Sequence, residues 1–355
     1  MDTKKTDIIN PLFISLPDDE KRALLANIGR RTGLSEIAVE KDLWITAILR
    51  CVFSLEYAPF IQFKGGTNLS KCWTVIERMS EDIDLAIGRE YLGFSGELSK
   101  SQVSNRLRRA SKEFIVGPFL DDLKVAISRG GIPLDGLDIS TNDNGIPTQD
   151  PVQIYIRYRT LYEEDDYLLP QVMLEISGRS SDLALEKRRI NSFFDAAIPN
   201  KEKALPEFEV TAIHPRRTFI EKVCLLHEEF NKRHGEIRSK RMSRHLYDLY
   251  MMCGKGVDKL VLEDEALFKQ IIHHRFIYNR IDGVDYNTET PGHFAIIPPG
   301  ESLKQWEQDY RNTIAKMIYG AERPDFETII ARIGKLNEDL NAMHWKEIPV
   351  FNPGK

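Results

Sequence analysis

Asp82 and Asp84 stand two residues apart in the run Ser80-Glu81-Asp82-Ile83-Asp84-Leu85. Successive side chains of a β-strand point to opposite faces, so this spacing predicts both carboxylates on one face and Ile83 and Leu85 on the other. Two carboxylates on a rigid support suit Mg²⁺, which binds through one or two carboxylates plus substrate phosphates and retained waters. Mn²⁺ accepts the same oxygen ligands. Ions held this way, singly or as a two-ion site, neutralise crowded phosphate oxygens and align the attacking and leaving oxygens of a nucleotidyl transfer. A third acid, Glu175, sits among Val172, Met173, Leu174 and Ile176. A lone carboxylate in so apolar a strand is costly to bury without a partner or a metal. The predicted metal set is therefore Asp82, Asp84 and Glu175.

Ahead of the two aspartates lies Lys64-Gly65-Gly66-Thr67. Glycines without side chains let backbone N–H groups come close to a triphosphate, helped by the N-terminus of a following helix. The hydroxyls of Thr67 and Ser80 offer further donors. Lys64, Gly65, Gly66, Thr67 and Ser80 are thus the predicted nucleotide-binding residues. A glycine pair or a D-x-D alone says little, but the ordered series strand, GG, helix, S-x-D-I-D strand is more specific. The competing reading is a surface turn beside a solvated edge strand; the apolar flanks of the motif speak for a central strand.

The elements that must position these residues follow from hydrophobic period. Apolar residues recur at helical spacing through 18–54, with a break at Gly33. Residues 59–66 read as a strand entering a tight loop, 69–78 as a short helix and 81–88 as the strand carrying both aspartates. Residues 99–127 read as a basic helix, and 129–150, rich in Gly, Asp, Asn and Pro, as turns or an excursion. The runs 152–160 and 170–178 read as a hairpin around the acidic turn Glu163-Glu164-Asp165-Asp166. Beyond Thr218 the pattern is helical, near 217–234, 239–253, 258–279, 301–319 and 324–342, with a Pro- and Gly-rich loop at 283–300. The expected fold class is α+β, divided into 1–205 and an α-helical domain 206–355 that contributes to the active-site cleft.

The 355 residues allow two cores, and 42% hydrophobic with 29% charged residues is ordinary for a globular protein. No apolar run is long enough to span a bilayer, and the N-terminus lacks the pattern of a signal peptide, so a cytoplasmic protein is expected. Cys51, Cys72, Cys224 and Cys253 are scattered without zinc spacing, and are expected to be idle buried thiols. The net charge of −5 does not announce a nucleic-acid binder, yet 214–245 is dense in Arg and Lys. A solvated helix face would carry the same charges.

Five stretches in order resemble the AbiEii/AbiGii toxin family, which includes the MenT toxins, within the polymerase-β-like nucleotidyltransferase superfamily. They are EKDLWITAIL (40–49), FKGGTNLSKCW (63–73), RMSEDIDLAI (78–87), RRTFIEKVCLLH (216–227) and SRHLYDLYMM (243–252). LKQWEQDYRNTIAKMIYG (303–320) is similar to the family's C-terminal helix. The resemblance implies a polymerase-β-like core followed by a helical domain. It also implies Mg²⁺-dependent transfer of NMP from an NTP onto an RNA such as a tRNA 3′ end, and a cognate antitoxin. It implies that Ser80 contacts phosphate, that Asp82 and Asp84 bind metal, that Lys222 contacts NTP phosphates and that Asp248 is essential. Glu175 departs from the Asp usual in that strand, which bears on its role as base. The acceptor rests on this likeness alone; a protein or small-molecule hydroxyl, or a non-catalytic NTP-binding regulator, are the alternatives. By spacing alone, Lys222 reads as a solvated lysine at the edge of an apolar stripe. Asp248 likewise reads as the ion-pair partner of Arg244 at i−4.

Overall fold

The computed structural model describes residues 7–99, 101–163, 168–180, 183–233 and 235–351. The chain divides into two compact units, one of residues 1–72 with 79–212 and one of residues 73–78 with 213–355.

The first unit is built on a mixed seven-stranded sheet among the described residues, in the order β3-β4-β5-β2-β1-β7-β6. The strands are β1 (Ile61–Lys64), β2 (Asp82–Ile87), β3 (Leu137–Thr141), β4 (Val152–Tyr158), β5 (Gln171–Ser177), β6 (Leu185–Ile190) and β7 (Phe208–Ile213). β2 lies antiparallel to β1 and parallel to β5, and β1 is parallel to β7, which keeps β7 with the sheet. Helices α1 (Pro11–Ser15), α2 (Asp18–Thr32) and α3 (Glu36–Val52) precede it. α2 ends at Gly33, whose φ of 79° is the left-handed stop that glycine permits, and Ser35 caps α3 by accepting from the Ala38 N–H. α3 packs on β2 and β5 and is buried nearly throughout, including Glu40, Lys41 and Asp42.

Those three charges are fastened one by one. Glu40 accepts from Thr160 Oγ1 and the Leu161 N–H, Lys41 Nζ lies 3.1 Å from Glu81 Oε2, and Asp42 pairs with Lys71 while accepting from the Phe193 N–H. Each buried charge thus has a partner, as burial requires.

Several local expectations are corrected. The glycines do not form a loop: helix α4 (Gly65–Lys71) starts directly at the end of β1, with Lys64 as its N-cap, and the helix expected at 69–78 is absent beyond Lys71. The helix expected at 99–127 runs over 102–129 as α5 (Arg108–Phe114) and α6 (Leu120–Arg129) joined to π-helical turns. One of these turns holds Pro118, which has no N–H to donate to the preceding turn. The 129–150 excursion contributes edge strand β3, paired antiparallel with β4. The acidic turn expected at 163–166 lies mostly within 164–167, outside the described residues. A short helix α7 (Phe193–Ala197) completes the unit.

The second unit holds α8 (Pro215–Phe230), α9 (Arg244–Gly254), α10 (Val257–Leu262), α11 (Glu265–Tyr278), α12 (Ser302–Asp309), α13 (Ala315–Met317) and α14 (Phe326–Asn341). α8 packs on α9, α10 and α11, and α9 on α14. The helix expected at 258–279 is two helices, because Asp264 caps α11 by accepting from the Leu267 N–H. Residues 73–78 are tied into this unit. Trp73 Nε1 donates to the Ile213 carbonyl at 3.1 Å, the Tyr319 N–H donates to the Glu77 carbonyl at 3.0 Å, and Arg78 bridges Ile318.

Candidate functional site

In the first unit, β2 alternates as its sequence predicts: Ile83 and Leu85 are buried, and Asp82 and Asp84 are half-buried on the opposite face. The sheet register lines up a row of polar residues across four strands. Asp84 is the Cα partner of Lys64 on β1 and of Glu175 on β5, and Glu175 is the partner of Gln153 on β4. Directly paired residues present their side chains to the same face. Gln153 Nε2 donates to Glu175 Oε2 at 3.3 Å, while Gln153 Oε1 accepts from Asn142 Nδ2 at 3.1 Å and from the Tyr155 hydroxyl at 2.7 Å. Residues of β4 and of the chain just after β3 therefore orient the third carboxylate. Sequence reasoning missed Gln153; its place beside Glu175 is a matter of register, which no local pattern reveals.

Gly65 is shaped around Asp84. Its φ is +75°, and a Cβ built on it would lie 1.8 Å from Asp84 Oδ2. Only a residue without a side chain lets the β1–α4 bend sit against that carboxylate. Among the described residues no hydrogen bond or ion pair engages the Asp84 carboxylate. Thr67, expected to offer its hydroxyl to a ligand, is buried and donates to the Asp82 carbonyl, fastening α4 to the start of β2. Ser80 is half-buried just ahead of β2.

Gly65→Ala is expected to destabilise the protein by more than the ~1–2 kcal/mol of a left-handed alanine. Gly96→Ala controls for the backbone part, since Gly96 has φ +73° with nothing near its Cβ position. Equal losses of the two variants in urea unfolding would show that the Asp84 carboxylate does not rest on Gly65.

Oxygen ligands alone, two carboxylates on one strand face, fit a hard divalent cation that completes its shell with phosphates and water. Glu175 is the register neighbour of Asp84, but among the described residues no three Asp, Glu, His or Cys side chains are gathered closely enough to hold a metal by themselves.

In the second unit, Lys222 on α8 and Asp248 on α9 come together with a residue that sequence reasoning had not singled out, Arg78. Arg78 grips Asp248 with two bonds, Nε to Oδ1 at 2.7 Å and Nη2 to Oδ2 at 2.8 Å. Lys222 Nζ lies 2.9 Å from Asp248 Oδ2 and 3.3 Å from His245 Nδ1. Asp248 is 0% exposed, and Arg78, Lys222 and His245 are buried around it. Lys222 is therefore not a solvated lysine, and the partner of Asp248 is not Arg244 at i−4. A hint of Arg78 lay in the sequence, where it opens the RMSEDID run.

The electrostatics follow from that packing. Burial alone would raise the Asp248 carboxyl, but Arg78 and Lys222 outweigh it and hold it below its ordinary value. Burial lowers the Lys222 ammonium, Asp248 opposes, and Arg78 and Arg244 push further down. Burial, then Lys222 and the nearby arginines, hold His245 well below the usual imidazole value, so it is neutral at pH 7. Both Asp248 oxygens are engaged, which makes it a positioning group for the two cations.

The four cysteines are buried and free of disulfides, with the thiols of Cys51, Cys72 and Cys253 pushed by burial up to about 12. They carry no thiolate chemistry. Among the described residues no helix is long and apolar enough to cross a membrane.

A sequence model described as "Nucleotidyl transferase AbiEii toxin, Type IV TA system" matches residues 47–332. Among solved structures, MenT4, a nucleotidyltransferase toxin from Mycobacterium tuberculosis H37Rv, aligns with a TM-score of 0.50 at 15% identity, covering 91% of this chain and 90% of that one. This likeness concerns the fold: an α+β arrangement of mixed sheet and helices. JHP933 from Helicobacter pylori aligns with a TM-score of 0.35 at 16% identity, over 87% of this chain and 98% of its own. No curated protein sequence matches the chain.

Proposed function

Because this chain belongs to the AbiEii family of nucleotidyltransferase toxins of type IV toxin–antitoxin systems, we propose that it moves a nucleoside monophosphate from an NTP onto an RNA, such as a tRNA 3′ end. The observation that carries the chemistry is the register of Lys64, Asp84 and Glu175 beside the Gly65 bend. Asp82 and Asp84 hold the divalent ion, Mg²⁺ or Mn²⁺, that accompanies the NTP. When bound, such an ion neutralises phosphate oxygens and polarises the phosphorus under attack.

The chain's own residues do the rest. Gly65 lets the β1–α4 bend sit against Asp84, with Gly66, Lys64 and Ser80 beside it for the phosphate oxygens. Glu175, oriented by Gln153, accepts the proton of the attacking hydroxyl. A bond then forms from that oxygen to the α-phosphorus, the bond to the bridging oxygen breaks, and pyrophosphate leaves. Lys222 offers a buried ammonium for a phosphate oxygen. Membership of a toxin–antitoxin family also implies a cognate antitoxin, whose neutralisation of the toxin would let a host tolerate its expression.

A second reading, transfer onto a protein or small-molecule hydroxyl, draws on the pairing inside the basic segment 214–245. Arg216 pairs with Asp264, Arg217 with Glu221, and Lys232 and Arg238 both with Glu229. Much of the positive charge counted in the sequence is thus neutralised within the fold, which leaves less of it for an RNA backbone.

Incubation with each labelled NTP, Mg²⁺ and total tRNA, beside Asp82→Ala and Lys222→Ala proteins, tests the proposal. Label on tRNA from the wild type, with both variants inactive, is expected. Label on protein or a small molecule instead would select the second reading, and an active Lys222→Ala protein would remove Lys222 from the site.

A further inference from the structure

We propose that Tyr155 and Met173 form a stacking platform for the terminal base of the RNA acceptor, which sets the 3′ hydroxyl of that RNA against Glu175. The proposal rests on the reading that RNA is the acceptor and that Glu175 takes its proton.

Strand register lays out two parallel rows on the polar face of the sheet. One row holds Gln153, Glu175, Asp84 and Lys64, on β4, β5, β2 and β1. The other lies two residues away along the strands and holds Ser140, Tyr155, Met173 and Asp82, on β3, β4, β5 and β2. Paired residues share a face, and so do residues i and i+2 of one strand. Tyr155 and Met173 are half-buried there, and the short Ser140 beyond them is exposed.

An aromatic ring beside a thioether makes a flat, polarizable surface of the kind on which bases stack. The ring is held in place, because its hydroxyl donates to Gln153 Oε1 at 2.7 Å and that oxygen also accepts from Asn142 Nδ2. Among the described residues no other aromatic ring and no cation lies against Tyr155. Its face is open to a ligand ring.

Position selects the acceptor over the donor. In the order of the strands, Glu175 lies on one side of Asp84, and Lys64 with the β1–α4 bend lies on the other. The triphosphate assigned to that bend stands on the β1 side, so the hydroxyl that attacks it enters from the side of β5 and β4. The platform is on that side. The two rows are about 7 Å apart along the strands, a length that a ribose spans between its 3′ oxygen and its base. A base lying on Tyr155 and Met173 therefore leaves its hydroxyl beside Glu175. Because every base has a π-face, such a platform places an RNA end without reading its sequence.

The full chain is tested as wild type, Tyr155→Phe and Tyr155→Leu. Both variants lack the hydroxyl and differ in the ring, so the difference between them reports stacking. The ligands are a tRNA transcript and the same transcript ending in an abasic nucleotide. Fluorescence anisotropy with Mg²⁺ gives Kd, and labelling gives KM for RNA and for NTP. Tyr155→Leu should bind the intact transcript about tenfold or more weakly than Tyr155→Phe and raise the KM for RNA in proportion, with the KM for NTP unmoved. The wild type should bind the abasic transcript about tenfold or more weakly than the intact one. Tyr155→Leu should bind the two transcripts equally to within about threefold, because each change removes the same contact.

Equal binding of both transcripts by the wild type would overturn the proposal. That comparison needs no variant, so it holds even if Tyr155→Leu fails to fold, as thermal melting would reveal. A raised KM for NTP in Tyr155→Leu, with RNA binding unchanged, would also overturn it and give the platform to the donor base. If the wild type neither binds nor labels tRNA with any NTP, the RNA reading itself fails. If it labels intact and abasic transcripts with the same KM, that reading stands and the platform falls.

Discussion

Asp82→Ala is expected to lower nucleotide transfer by at least about a thousandfold, equivalent to about 4 kcal/mol of transition-state stabilisation. The loss follows from removing one of two carboxylates that neutralise and align the triphosphate. The fold should survive, because the bond that secures this end of β2 runs from Thr67 Oγ1 to the Asp82 carbonyl and does not involve the carboxylate. Labelled NMP incorporation measures the first effect and thermal unfolding the second. Retention of more than about a tenth of wild-type transfer would remove Asp82 from the metal set. Asp84→Asn adds a finer test: it keeps the shape lying against Gly65 but not the charge, so comparable loss would assign the effect to charge.

Asp248→Ala should destabilise the protein by about 3–5 kcal/mol, the range found when one partner of a buried ion pair is deleted. It would leave the Arg78 guanidinium and the Lys222 ammonium facing each other without their shared carboxylate. Urea unfolding at pH 7 measures this, and a loss below about 1 kcal/mol would mean that the cations find other partners. The pH dependence has a definite sign. The Asp248 carboxyl is held below its ordinary value in the folded chain. Its contribution is therefore fully present above the unfolded value, about 3.9, and fades as pH falls through the folded one. The gap between wild type and Asp248→Asn should accordingly narrow in acid.

What the sequence made legible and what it did not divide along physical lines. The two aspartates of β2 were readable because a strand's alternation is local, and the flanking Ile83 and Leu85 named the buried face. Glu175 was readable as a costly acid in an apolar strand, but not as the register partner of Asp84, since register is set by which strands pair. Gly65 was singled out for backbone room; that the room is filled by Asp84 itself appears only in three dimensions. Arg244 at i−4 was the natural partner for Asp248 on a helix, yet the partner is Arg78, 170 residues earlier, which no periodicity reports. Lys222 looked solvated because one helix's apolar stripe says nothing of what the next segment covers. Glu40, Lys41 and Asp42 would pass for a solvated face by composition, but each is buried and has a partner far along the chain. Strand β3 hid in a stretch of turn-forming residues because an edge strand needs little apolar alternation to pair.

Residues 73–78 leave the sheet unit, join the helical one and are followed by the return to β2. Exchange of parts between relatives is constrained as a result. A chimera joined at 212/213 would marry one parent's Arg78 and Trp73 to the other parent's Asp248 and Ile213, partners shaped in a different lineage. Recombination that keeps function would have to carry this short insert together with the distant C-terminal half, so the gene offers no single seam at which the two units can be traded.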